Sequence, residues 1–236
     1  MRMRILAQVP IFAGLTDDEL DRLDRRMVSL SWAEGDELYA AATPAQYLYV
    51  VAAGHVKLLQ PVSNGPDAVV DIVGPGELFG SLDVVGRPVH TETAEALSTT
   101  CALRIDTHAF REVLLEYPQV ALRVLDDVTA LLRGARVDAS EHPTSTVAQR
   151  VATTLLRLAD KFGQPGASGE GTLIQLPLSR ADLAAMTGST PESVSRAMSR
   201  FRSGGLIDSG RRWTSILDRD QLAALAELPD LGASDV

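Results

Sequence analysis

The sequence predicts an α+β protein: an N-terminal β jelly roll, one long helix, and a C-terminal winged helix-turn-helix. Three observations carry this. Between Val28 and Ile105, β-rich runs recur at a spacing of about ten residues between turn signals. From Pro118 to about Ser140, apolar residues recur at alternating spacings of four and three. Leu178 to Leu206 then reads as two capped helices around a glycine turn. The predicted domains are 1–117 for the roll, 118–143 for the long helix and hinge, and 144–236 for the winged helix-turn-helix. A chain of 236 residues is long enough for two cores.

In chain order, Thr16-Asp17-Asp18-Glu19 is a capping box that opens a short helix through Leu20, Leu23 and Met27. The runs YLYVV, HVKLL, AVVDIV and CALRI are strands, separated by turn signals at Ala53-Gly54, Asn64-Gly65 and Gly74-Pro75-Gly76. Tyr47, Tyr49 and Phe79 lie within or beside these runs and read as core or pocket wall rather than as a platform for bases. The single cysteine, Cys101, sits in the strand-like TTCALRI and is expected to be a buried, inert thiol. One cysteine permits neither an intrachain disulfide nor a cluster with several cysteine ligands.

Phe110, Val113 and Leu114 suit a short helix, after which Pro118 occupies a favourable first helical position for the long one. Ala121, Leu125, Val128, Leu132, Ala135 and Ala139 form a two-stranded coiled-coil seam, with Leu122 and Leu131 placed to pack on the sheet. A homodimer through this seam is expected. The competing arrangement packs this helix wholly within its own subunit. Glu141-His142-Pro143-Thr144 breaks the helix as a hinge. Helix resumes through Val147, Val151, Leu155 and Leu158, and Gly163 to Gly171 follows as a Gly-rich loop without a phosphate-binding pattern.

The next stretch carries the chemistry. Ser179 and Asp182 form a capping box, Gly188 breaks the first helix, and Thr190-Pro191 restarts the chain as N-cap and first turn. Val194, Met198 and Phe201 form the buried stripe of the second helix, which Gly204-Gly205 ends. Its opposite face presents Glu192, Ser195 and Arg196 at the end that a recognition helix offers to base edges. Arginine can fork onto guanine O6 and N7, glutamate can accept from cytosine N4, and serine suits either role. Arg200, Arg202, Arg211 and Arg212 lie close by as phosphate partners. The plainer alternative is a surface helix in which Glu192 and Arg196 pair with each other. LIDSGRRWTSILD then gives two short strands around Ser209-Gly210, and Asp220 to Leu228 a closing helix ahead of a frayed end.

The formal charge of -9 is unevenly distributed: residues 1–143 carry 12 Lys and Arg against 21 Asp and Glu, and residues 144–236 carry 10 against 10. The acidic excess therefore belongs to the first part and does not exclude double-stranded DNA as partner of the second. The basic N-terminus lacks the apolar region of a signal peptide, and no 18-residue apolar run occurs elsewhere. A cytoplasmic protein without a membrane partner is expected. No H-x-H pair, nucleophile elbow, paired-carboxylate or P-loop pattern is present, which weighs against a cupin-like metal enzyme or any other enzyme.

VPIFAGLTDDEL, GPGELFG, QRVATTLLRLA, GSTPESVSRAMSRFRSGGLI and GLIDSGRR together resemble the CRP/FNR family of bacterial transcription regulators. The resemblance implies a cyclic-nucleotide-binding-type roll, a dimerisation helix, DNA as target and RNA polymerase as a further partner. It places Glu192, Ser195 and Arg196 at base-reading positions and Ser179, Arg180 and Ser193 at phosphates. Glu-x-x-Ser-Arg is similar to the FNR branch, implying an inverted repeat of TTGAT-like half-sites, while Pro191 stands where the cyclic-AMP branch has arginine. By the same resemblance the effector pocket comprises Gly76, Glu77, Arg87, His90, Thr91, Ala135 and Arg136. Gly76-Glu77 matches the ribose pair, whereas His90-Thr91 replaces the Arg-Ser that meets a cyclic phosphate and Ala135-Arg136 replaces the Thr-Ser that meets the base. A neutral histidine cannot supply the charged fork of arginine, so cyclic AMP is not the expected effector. A cluster of the FNR type is excluded by the single cysteine. Cyclic AMP itself, heme through His55, His90, His108 or His142, another anionic metabolite, or no ligand remain as alternatives.

Overall fold

The computed structural model describes residues 2–63, 65–82, 89–141, 145–166 and 171–227, with backbone only for residues 131–141. The chain divides into two compact units, Met1–Arg136 and Val137–Val236.

The first unit begins with a helix that the sequence pattern did not signal, α1 (Arg2–Leu6), followed by a single 3₁₀ turn at Pro10–Phe12. Helix α2 (Asp17–Asp24) opens at the expected capping box: Thr16 Oγ1 accepts from the Glu19 amide at 3.4 Å and Glu19 Oε2 from the Thr16 amide at 2.7 Å. It stops before Met27, which instead starts strand β1 (Met27–Trp32). Met27 is buried in the same apolar cluster as Leu20 and Leu23, so its spacing matched a helix although the backbone had already turned.

The remaining strands of this unit are β2 (Glu37–Tyr39), β3 (Tyr47–Ala53), β4 (Val56–Gln60), β5 (Ala68–Val73), β6 (Leu78–Phe79), β7 (Thr93–Ala96) and β8 (Thr100–Asp106). They form two four-stranded antiparallel sheets, ordered β1-β8-β3-β6 and β2-β7-β4-β5. Tyr39, Tyr49, Val51, Val56, Val73, Phe79, Ala94 and Ala102 come from both sheets and form the core between them. Tyr49 and Phe79 are therefore core residues; Tyr47 is half-buried, with the Arg104 guanidinium 4.0 Å above its ring. The outer face of the first sheet is also covered, because Leu48, Val50, Leu103 and Ile105 pack with Leu6, Phe12, Leu20, Phe110 and Val120. Burial on both faces explains why YLYVV reads as a continuous apolar run rather than an alternating one. Cys101 departs from the buried thiol expected. It shares the face of Leu103 and Ile105 but lies at the start of β8, half-exposed, with Sγ 3.2 Å from Oγ of its cross-strand neighbour Ser31.

Asp106 caps α3 (Thr107–Glu116), which buries Phe110 and Val113, and Pro118 starts α4 (Pro118–Glu141). Val120 is fully buried against the outer face of the sheet and Val124 packs beside it, four residues on. Leu122 lies on another side of α4 and is 64% exposed, so it does not pack on the sheet as the pattern suggested. Leu125 and Val128 are also exposed. The side chains of Leu131, Leu132, Ala135, Arg136 and Ala139 lie outside the described residues, as do the hinge positions 142–144.

In the second unit α5 (Val147–Phe162) is opened by a further capping box, Thr146 with Gln149. Gly163 begins a strand rather than a loop, since β9 (Gly163–Pro165) pairs with β10 (Thr172–Ile174). Then come α6 (Arg180–Thr187), α7 (Pro191–Ser203), β11 (Ile207–Gly210), β12 (Trp213–Ile216) and α8 (Arg219–Glu227). The sheet order is β11-β12-β10-β9. Val151, Leu155, Leu183, Val194, Met198, Phe201, Ile207, Ile216 and Leu222 are buried in this unit. The turn of the wing falls at Arg211-Arg212, two residues later than Ser209-Gly210, because Gly210 still pairs with Trp213. Leu228 and the eight residues after it lie outside the described residues. Among the described residues, no helix is long and apolar enough to cross a membrane.

Candidate nucleic-acid interface

The two helices of the helix-turn-helix are fixed by their own ends. Ser179 Oγ accepts from the Asp182 amide at 3.0 Å while Asp182 Oδ2 accepts from the Ser179 amide at 2.8 Å, which leaves fewer unpaired donors at the start of α6. Gly188 closes α6 in the left-handed region at φ 55°, ψ 45°. Thr190 then caps α7, accepting from the Ser193 amide at 3.3 Å, with Pro191 in the first turn. Two contributors were not visible in the sequence pattern. Arg150, on α5, donates from Nε to the Thr187 carbonyl at 2.7 Å and so ties the turn to the supporting helix. Thr187 is buried and donates to the Leu183 carbonyl at 2.7 Å. A polar residue inside an amphipathic pattern gives no signal of such a long-range partner.

With the inner face of α7 filled by Val194, Ala197, Met198 and Phe201, its outer face is decided. Glu192 and Arg196 are exposed there and Ser195 is half-exposed. Arg196 Nη2 donates to Ser193 Oγ at 3.1 Å, and no ion pair joins Glu192 to Arg196 among the described residues. The mutual pairing of a plain surface helix is thus not the arrangement adopted. Arg200, Arg202, Arg211 and Arg212 are all exposed, and Arg202 meets Asp208 of β11 at 3.4 Å, linking α7 to the wing. Arg180 is half-buried at the start of α6, and desolvation lowers its pKa from the usual arginine value.

The residues expected to line an effector pocket are arranged differently from a phosphate cradle. Gly76, at φ 87°, lies in a tight turn in which the Gly74 amide donates to Glu77 Oε2 at 2.8 Å and the Glu77 amide to the Gly74 carbonyl at 3.1 Å. His90 is only 3% exposed and stacks on Tyr39, with centroids 3.6 Å apart and planes 13° from parallel. Tyr39 also stacks on Phe79 and lies against Tyr49. His90 Nδ1 is buried without a hydrogen-bond partner among the described residues. Burial lowers the pKa of this imidazole, and the nearby Glu92 carboxylate opposes the shift. The Thr91 hydroxyl donates to Glu92, as does the Tyr39 hydroxyl at 3.2 Å.

A phosphodiester placed here would meet a neutral ring and a carboxylate in place of a permanent cation, so the described residues do not fit one. Arg87 and the side chains of Ala135 and Arg136 lie outside the described residues. The histidines are dispersed: His55 is half-buried with its pKa lowered by burial, His108 is exposed beside Glu112, and His142 is outside the described residues. Among the described residues, no three His, Cys, Asp or Glu side chains gather to hold a metal ion.

Comparison with known proteins agrees with this two-part plan. Residues 29–117 match the cyclic nucleotide-binding domain family and residues 149–225 the Crp-like helix-turn-helix domain family, together covering most of the chain. The chain is 26% identical over 222 residues to the CRP-like cAMP-activated global transcriptional regulator of Mycobacterium tuberculosis, covering 94% of this chain and 98% of that one. It is 28% identical over 221 residues to the transcriptional activator protein Anr of Pseudomonas protegens, covering 92% and 88%. Among solved structures, FixK2 from Bradyrhizobium japonicum superposes with a TM-score of 0.75 at 28% identity, over 86% of this chain and 98% of that one.

Proposed function

Because the chain belongs to the CRP/FNR family of bacterial transcription regulators, we propose that it binds, as a homodimer, an inverted repeat with TTGAT-like half-sites. The family's members regulate transcription by binding DNA, and the chain is not an enzyme. The observation that carries the proposal is the division of α7, with Val194, Met198 and Phe201 sealed inside and Glu192, Ser195 and Arg196 presented outside. Arg196 forks onto the half-site guanine, Glu192 accepts from cytosine N4 and Ser195 contacts a neighbouring base edge. Ser179, Arg180, Ser193, Arg200, Arg211 and Arg212 supply phosphate contacts, which fix register without reading sequence.

Residues 1–117 act as the sensor, 118–143 as the dimerisation helix and hinge, and 144–236 as the DNA-binding domain. Leu125 and Val128, exposed on α4, begin the dimer seam that Leu132 and Ala135 continue. A signal received in the roll shifts the two long helices against each other and sets both recognition helices at the spacing of successive major grooves. RNA polymerase is the expected further partner of the bound dimer.

The M. tuberculosis relative is described as cAMP-activated. The buried, stacked His90 and the Glu92 carboxylate beside Thr91 favour a different effector here, or none, over a cyclic phosphodiester. Replacing Arg196 with Ala tests the base-reading assignment. The expected outcome is a loss of about 1–3 kcal/mol in binding, with discrimination relaxed at one guanine per half-site. Unchanged affinity and specificity on every duplex would reject it.

A further inference from the structure

The wing carries a residue that no DNA-contact pattern selects. Trp213 is one of two tryptophans in the chain, begins β12 and remains 37% exposed. Scattered exposed apolar residues are ordinary on protein surfaces, so exposure alone decides nothing. Its neighbours do. Trp213 pairs with Gly210 across the two-residue turn Arg211-Arg212. A Cβ built on Gly210 would lie 2.4 Å from Trp213 Nε1 and 2.6 Å from Cε2, so the indole rests on the bare glycine backbone and would have to shift to admit a larger residue there. Directly before Trp213, Arg212 sits at φ 106°, a region that L side chains rarely adopt and that is held only where surrounding structure enforces it. Glycine would take that position without strain, yet the chain places an arginine there.

Resting on the DNA-binding reading above, we propose that Trp213 is a positioning residue: its indole, seated on Gly210, holds the wing turn in the conformation that directs Arg212 at the DNA phosphate backbone. The recognition helix and wing are linked independently by the Arg202–Asp208 pair and by the Leu217 amide donating to the Leu206 carbonyl at 2.8 Å. Removing the indole therefore loosens the tip while the base of the wing stays in place. Trp213 acts through Arg212, so the two side chains form one unit energetically.

The experiment measures binding of the full-length protein to a TTGAT-N4-ATCAA duplex across a range of salt concentrations, for wild type, W213A, W213F, R212G and the W213A/R212G double variant. W213A is expected to weaken binding about fivefold. It also lowers the slope of log affinity against log salt by roughly 0.9 for each phosphate that a wing no longer neutralises. W213F, which keeps a flat ring over Gly210, restores most of both. R212G lowers the slope, and the double variant binds no worse than R212G alone. Wild-type affinity and slope in W213A, or additive losses in the double variant, overturn the proposal. A wild-type protein with no guanine preference contradicts the DNA-binding reading itself and overturns both, whereas a guanine-preferring parent with an unaffected W213A overturns this inference alone.

Discussion

At the scale of single residues, His90 carries a consequence that is independent of DNA. Its ring is sealed against Tyr39 and its pKa is lowered by burial, and His55 is shifted in the same direction by the same cause. A histidine whose folded pKa lies below its unfolded value is protonated first in the unfolded state as pH falls. The stability it contributes is full above about pH 6.5 and is lost as pH drops towards the folded value. The thermal midpoint of the roll should therefore fall on acidification from pH 7 to pH 5.5. H90F keeps the stacked ring without a titrating group, so its decline should be shallower than that of the wild type. Parallel pH profiles for the two proteins would contradict this role for His90. Residue roles in the second unit were legible in the sequence because caps and breakers are local: Ser179, Gly188, Thr190 and Pro191 occupy the expected structural positions. Arg150 and Cys101 were not legible, one because its partner Thr187 is far along the chain, the other because the extent of apolar cover over a strand cannot be read from the strand.

At the scale of elements, strands whose sequence runs are long and apolar were read correctly, whereas β2, β6 and β7 were too short or too polar to announce themselves. Their existence depends on neighbours: β7 is a strand because β2 and β4 flank it. The long helix shows the complementary limit. Its apolar residues outnumber those needed for one face, and the sequence assigned Leu122 to the sheet where the fold uses Val120 and Val124. That leaves Leu122, Leu125 and Val128 exposed on α4, more apolar surface than a lone helix usually presents to water. L125E should convert a dimer to a monomer in sedimentation experiments and weaken binding to the full inverted repeat by more than about tenfold. Unfolding of the roll should change by no more than about 0.5 kcal/mol, as for an ordinary surface substitution. A dimer that survives this change would remove α4 from the proposed interface.

At the scale of the whole molecule, the acidic excess confined to residues 1–143 separates the roll and long helix from a helix-turn-helix part whose charge is balanced overall and basic along α7 and the wing. Such a distribution disfavours loose attraction to any duplex and leaves affinity to depend on matched contacts. The proposed DNA-binding surface is the half whose local structure was more legible, because it is built from one contiguous stretch of sequence. The proposed effector region was less legible, because it is assembled from β2, β6, β7 and the approaches to them, where the neighbours of a histidine determine what it can bind.

The most direct test is the binding of purified protein, at one fixed salt concentration, to a TTGAT-N4-ATCAA duplex and to a copy with both guanines replaced, each with and without cyclic AMP. Tight binding to the first is expected, with a loss of about tenfold or more on the second and no dependence on cyclic AMP. Equal affinity for both duplexes would contradict the assignment of α7 as the base-reading element, and binding that appears only with cyclic AMP would contradict the reading of the His90 region.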